Sequence, residues 1–312
     1  MQKHLNLIRF IHLPGIARTT TTLLICFVTS AFIFSCNDDE PTEEPYLTIP
    51  DSQFEARLIE EGIDSDTTIN QKLLKTDAEK VTHLHLGFEA NKIIEDLTGI
   101  EGFVNLTYLT VDKQDIETID LSHNTKLDTL WLVGTYLTTI DLSANLNLIS
   151  VNLPSNELET VEGLSNARDL RRLDLSWNYL EDIVIQNQSL ENLFLNNNFL
   201  ESIDVTESES LRTANLVSNQ ISTVDFSNNS QLEVLIISDN KLQEIQLEPL
   251  ENLTYFYSSS NELLSLDVSQ NPMLVDLRVD RNPDLTCIKT QPGQEIPTVI
   301  LGDHQELSNT CP

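Results

Sequence analysis

The stretch Leu190–Ser210 reads LENLFLNNNFLESIDVTESES, and Leu211–Gln231 follows it with LRTANLVSNQISTVDFSNNSQ. Laid over one another, the two segments place apolar residues at the first, fourth, sixth and eleventh positions, asparagine at the ninth, and an apolar–Asp–apolar triplet towards the end. Apolar residues two apart are the signature of a short strand that buries alternate side chains. The polar residues around the asparagine then break the strand into a turn. The triplet centred on Asp204 alternates again, which predicts a second short extended segment. The same grammar starts at Val81, Leu106, Leu127, Leu148, Leu170, Leu190, Leu211, Leu232, Leu253, Leu274 and Ile296, in steps of 20 to 25 residues. Eleven such units predict one elongated solenoid whose core lengthens by stacking.

The pattern LxxLxLxxNxLxxIDLS resembles the leucine-rich repeat family, from about Val81 to Leu301. That resemblance implies a leucine-rich repeat solenoid with a curved parallel β-sheet on its concave face. Turns and short extended or 3₁₀ segments would form the convex face, with a short α-helical cap at the N-terminal end. It also implies that the ninth-place residues Asn156, Asn178, Asn198, Asn219, Asn240, Asn261 and Asn282 turn inward and bond to the backbone of adjacent coils. The first three units carry Glu89, Gln114 and Thr135 there instead. The first and fourth units return through segments similar to those of internalin-type repeats, where a 3₁₀ turn forms the back. The others return through Ile119–Ser122, Ile140–Ser143, Ile203–Thr206, Val224–Ser227 and Leu266–Ser269. Their aspartates would either bond to neighbouring turn groups or, stacked about 5 Å apart, recruit calcium.

The chain carries 18 Lys and Arg against 49 Asp and Glu, a net charge of −31. A field of that sign repels nucleic acid and anionic headgroups, which leaves nucleic acid out as a partner. Of four cysteines, Cys26 sits in an apolar run and Cys36 ends it, so Cys287 and Cys311 are left to pair. Closing that loop of roughly 25 residues would contribute about 3 kcal/mol and implies an oxidising compartment.

The basic residues Lys3, Arg9 and Arg18 precede the apolar run Leu23–Ser35, the layout of an export signal. Followed directly by Cys36, it resembles a bacterial lipoprotein signal, which implies lipidation of Cys36. Cleavage near Ala31, leaving Cys36 as a free thiol, is the other reading. The acidic stretch Asn37–Pro45 is a tether, either a plain linker or, by its resemblance to lipoproteins of the Bacteroidota, an address for the outer face of the outer membrane. Ser52 and Glu55 have capping-box spacing and Gly62 supplies a stop, predicting a helix over about 52–61. This segment also resembles the caps of surface leucine-rich-repeat lipoproteins of the Bacteroidota. Asp64 and Asp66 are followed by Thr67, an incomplete calcium loop. The chain thus divides into a lipoprotein signal peptide (1–35), an acidic tether (36–48), an N-terminal cap (49–80), the repeats (81–286) and a C-terminal cap with its disulfide (287–312).

The third and fifth places of each strand alternate with the leucines and so face outward on the concave sheet. They hold Tyr108, Trp131, Arg172, Phe194, Ile236, Tyr255, Tyr257 and Arg278, the candidate ligand-binding residues, while Trp177 sits at the rim. Exposed rings and arginines are typical anchors for partners, although aromatics also simply suit strands. His83 and His85 share the first strand, but two ligands make a weak metal site. No HExxH, GxSxG, GxGxxG or phosphate loop is present, so no catalytic residue, metal or cofactor is assigned. The expectation is a monomeric, non-enzymatic lipoprotein, attached to the outer membrane only through Cys36 and facing the exterior. Its concave face would bind a protein ligand. A glycan ligand, or a passive envelope spacer, are the alternatives.

Overall fold

The computed structural model describes residues 45–311. Eleven short parallel strands form one sheet in chain order, from His83–Leu86 at one edge to Thr298–Ile300 at the other. Every repeat unit supplies one of them, beginning two residues after its first apolar residue, as Asn192–Phe194 does after Leu190. Register preserves place: Asn192 lies beside Arg172 on one side and Thr213 on the other. Coils of nearly equal length bring each place back onto itself, so leucine stacks on leucine. Leu190, Leu193, Leu195 and Leu200 have no exposed surface, and Ile203 and Val205 close the core from the opposite wall.

That opposite wall is the predicted second extended segment, in pieces. Thr139–Asp141 pairs with Thr160–Glu162, Ser202–Asp204 with Thr223–Asp225, and Leu266–Asp267 joins Cys287–Lys289 and Glu306–Ser308. Ile119–Ser122 has the same residue pattern but forms no strand. The expected 3₁₀ turns are present at Ile100–Gly102 and Leu164–Asn166.

The ninth-place asparagines make the inward bonds that the resemblance implies. Asn219 accepts from the Leu200 amide at 3.1 Å and donates to the Leu195 and Leu216 carbonyls, both at 3.0 Å, which ties two coils together. Gln114 does the same work with one more methylene, accepting from the Ile94 amide and donating to Gly87 and Asp112. Thr135 instead donates its hydroxyl to Asn156, and Glu89 turns out to an ion pair with Arg57 of the cap. At the eighth place the chain enters the left-handed region, with glycine at Gly134 (φ 64°) but with side chains in later units, as at Trp177 (59°), Asn197 (58°) and Ser218 (57°).

A second asparagine series escaped the sequence reading. Asn124, Asn145, Asn187, Asn229 and Asn271 are all buried, each three residues before the first leucine of a unit. Each donates to two carbonyls of the preceding coil, as Asn229 does to Val205 at 3.1 Å and Ser208 at 2.8 Å. Their carbonyl oxygens have no protein partner, so this series binds by donation alone.

The convex aspartates bond to turns. Asp120, Asp141, Asp204 and Asp225 each accept from the amide two residues on, at 2.8–3.0 Å. The amides of Ser122 and Ser227 and the hydroxyls of Ser143 and Thr206 are the largest causes holding these carboxyls below their usual range. A carboxyl depressed in the folded state stabilises above its unfolded pKa of about 3.9, and that contribution is lost as pH falls through the folded value. Replacing all four by Asn should therefore flatten the decline in melting temperature below about pH 4. An unchanged slope between pH 4 and 2 would show that these turns do not set the acid limb.

Both ends correct parts of the expectation. The helix is Ser52–Glu60, but its cap is Asp51, whose Oδ1 accepts from the Gln53 and Phe54 amides. Asp51 Oδ2 accepts from Glu95 and Asp96, so the residue also anchors the helix to the first coil. The Ser52–Glu55 capping box does not form, because Glu55 is fully buried and accepts from the Asn70 and Lys72 amides. Tyr46–Thr48, placed in the tether by composition, pairs antiparallel with Lys72–Leu74 and buries Leu47. A glycine is required at Gly99, where φ is +105° and a Cβ would meet Ile49 Cδ1 at 2.1 Å. At the other end Cys287 and Cys311 are bonded, with Cα atoms 5.8 Å apart. The C-terminal cap contains the eleventh unit expected at Ile296, with Thr298–Ile300 in the main sheet and Glu306–Ser308 on the back wall.

Candidate binding face

Parallel register brings the eight candidate residues onto one face of the sheet in three groups. Near the first strand, Tyr108 lies between His83, stacked at 5.7 Å, and Trp131 at 6.2 Å. In the middle the Arg172 guanidinium sits 4.4 Å above the Phe194 ring and 3.4 Å from Asp174. Towards the last strands, Tyr255 meets Tyr257 edge-on at 6.5 Å and Arg278 lies 4.3 Å over Tyr257. Ile236 adjoins that third group through the pairing of Ile236 with Tyr257. Small polar residues separate the groups: Ser150 and Asn152, then Thr213 and Asn215. Trp131 and Tyr257 stand six strands apart, roughly 30 Å at the usual strand spacing.

Asp276 is the residue the sequence reading left out. It is buried, accepts from the Tyr257 hydroxyl at 2.9 Å, and receives Arg278 through two bonds at 3.0 and 2.8 Å. The Arg278 bonds hold its carboxyl down. Burial, and then the bond to Asp276, push the Tyr257 phenol up. The clue was available: Asp276 and Arg278 are two apart on one strand, hence on one face. Together they fix a ring and a guanidinium in place.

The other chemistry-bearing residues are otherwise engaged. His83 Nδ1 is 2.9 Å from the Thr82 hydroxyl and His85 bonds to the Thr110 hydroxyl. Asp64 Oδ1 accepts from Asp66 and Asp66 Oδ1 from Thr68, and burial raises the Asp64 carboxyl. Among the described residues no group of three His, Cys, Asp or Glu side chains is arranged to hold a metal ion. Cys36 lies outside the described residues.

No protein-family model matches the chain. Over 147 residues the chain is 33% identical to lumican of Rattus norvegicus, a match covering 37% of this chain and 44% of lumican. The chain thus spans less than half the length of that relative. The functional domain of InlJ from Listeria monocytogenes superposes with a TM-score of 0.53 at 22% identity, over 85% of this chain and 71% of that one. The leucine-rich repeat domain of APL1B gives a TM-score of 0.53 at 22% identity, over 71% of this chain and 62% of that one. Identities this low speak to the fold, and they agree with the coil-by-coil register, the inward asparagines and the buried leucine columns: the chain folds as a leucine-rich repeat solenoid.

Proposed function

We propose that this chain is a lipid-anchored surface protein, tethered through Cys36 at the outer face of an outer membrane, that captures a protein ligand on its concave sheet. One observation carries the binding role. Arg172 over Phe194, and Arg278 over Tyr257, stand partly exposed on the outward face of a sheet whose other face already makes the core. Paired aromatic and arginine anchors held rigid in advance are the residues that dominate protein interfaces, because little freedom is lost on binding. The same geometry weighs against a glycan, since a guanidinium occupies one face of two of the rings that a sugar would stack on. Trp131, 39% exposed, is the platform that stays open.

Replacing Trp131, Phe194 and Tyr257 together by Ala should leave melting within a few degrees of the parent, since outward side chains add little to the core. It should weaken a purified protein ligand, first captured by the parent chain from a surface extract, at least 100-fold. Unchanged titration of that ligand would remove the concave face from consideration, and saturable binding of a polysaccharide instead would transfer the site to glycans. For the anchor, Cys36→Ala should move the protein from the membrane to the soluble fraction and abolish labelling with a fatty acid. Retention in the membrane would rule out lipidation at this residue.

A further inference from the structure

The lateral surface between the concave sheet and the back wall carries a feature that the concave face does not explain. Tyr179 and Phe199 occupy the tenth place of successive units, and their rings stack at 6.0 Å with planes 30° apart. Coil-to-coil bonds hold both in place, Tyr179 N to Leu158 O and Phe199 N to Leu180 O, each at 2.9 Å. Both rings are half exposed, at 49 and 48%. Two adjoining hollows run past them and share Glu181, Asp182 and Phe199; Glu159 lines one and Glu201 the other. All four carboxylates are exposed, and none of them takes part in an ion pair or a side-chain hydrogen bond. At the tenth place further along, Lys241 donates to Gln220 at 2.9 Å, so the basic residue on this row is already bound to the amide that lines the hollow beside Phe199.

Stacked rings in water with unpaired carboxylates around them have a defined complement. The ring faces attract a planar cation and the carboxylates supply its counter-charge, and a guanidinium satisfies both at once. We propose that this lateral groove is a second docking site, occupied by an arginine-bearing segment of a partner protein. The segment lies along the hollows with one guanidinium against the Tyr179–Phe199 pair and its neighbours facing Glu159, Glu181, Asp182 and Glu201. The site shares no residue with the concave groups, so it stands whether or not the concave face binds a protein.

The test is calorimetric titration of the full chain with a six-residue peptide of alternating arginine and glycine. One saturable site is expected, weakened about tenfold in Tyr179→Leu/Phe199→Leu, which keeps apolar bulk and net charge but removes the ring faces. Glu181→Gln/Glu201→Gln should weaken it further as salt dependence falls, and the concave Trp131→Ala/Phe194→Ala/Tyr257→Ala variant should bind as the parent does. Circular dichroism and melting of each variant confirm folding. Equal affinity in the parent and the Leu variant, or titration without saturation, would overturn the proposal and assign the peptide to the general acidity of the chain. Loss in the concave variant would overturn it in favour of the sheet.

Discussion

Asn219→Leu is expected to lower the free energy of unfolding by about 3 kcal/mol, with chemical denaturation followed by circular dichroism as the measurement. The side chain is nearly isosteric with leucine and sits among leucines, so no cavity forms. What is lost is the Leu200 amide's partner and two donated bonds to Leu195 and Leu216. A buried amide without a partner costs about 1–3 kcal/mol by itself, before the lost bonds are counted. Two comparisons sharpen the result. Asn229→Leu, in the second series, removes donation alone and should cost about half as much, because its carbonyl oxygen is already without a partner. Asn192→Ala, on the outward face with no side-chain bond, should change stability by less than about 0.5 kcal/mol. If Asn219 and Asn192 proved equally tolerant, the ninth-place series would not be what holds successive coils together.

Phe256→Ala should cost about 3–5 kcal/mol. The ring is fully buried in the column Leu235–Phe256–Leu277, whose flanking members are fully buried too. Stacked coils contact only their neighbours, so truncation opens a cavity that distant repeats cannot close. The damage should therefore be local. Hydrogen exchange should quicken in the coils from Leu253 onward while the strands from His83 to Val133 keep their protection. Tyr255→Ala, one residue away and 41% exposed, is the outward control and should cost no more than about 1 kcal/mol. A loss under 1 kcal/mol at Phe256 would mean that the column is loosely packed.

Much of the fold was legible because a solenoid writes its tertiary contacts into its period. The residue beneath Leu193 is the one about twenty positions earlier in the same place, so finding the repeat finds the neighbours, the strand order and the register. Periodicity also showed that Tyr257 and Arg278 lie on one face. It did not show that Asp276 binds both, since which of several adjacent side chains pair is set by rotamers and distances rather than by place. The second asparagine series was visible in the letters, three residues ahead of five of the eleven units, but polar residues there read equally well as turn. Burial is what distinguishes Asn229 from the exposed Asn228 beside it.

The ends were less legible for a related reason: they do not repeat. Ser52 and Glu55 have the spacing of a capping box, yet Glu55 is drawn inward to accept from the Asn70 and Lys72 amides. Asp51 takes over the cap and ties the helix to Glu95 and Asp96, some forty residues away. Tyr46–Thr48 becomes a strand only because Lys72–Leu74 offers an edge to it. By itself, then, the sequence determined the solenoid, its eleven coils, its leucine core and the outward face of the sheet, all of which follow from contacts between equal places in successive units. Only the tertiary structure decided the caps, the Asp276–Tyr257–Arg278 cluster and the Tyr179–Phe199 groove, because these depend on particular side chains meeting across unequal places, where no period constrains them.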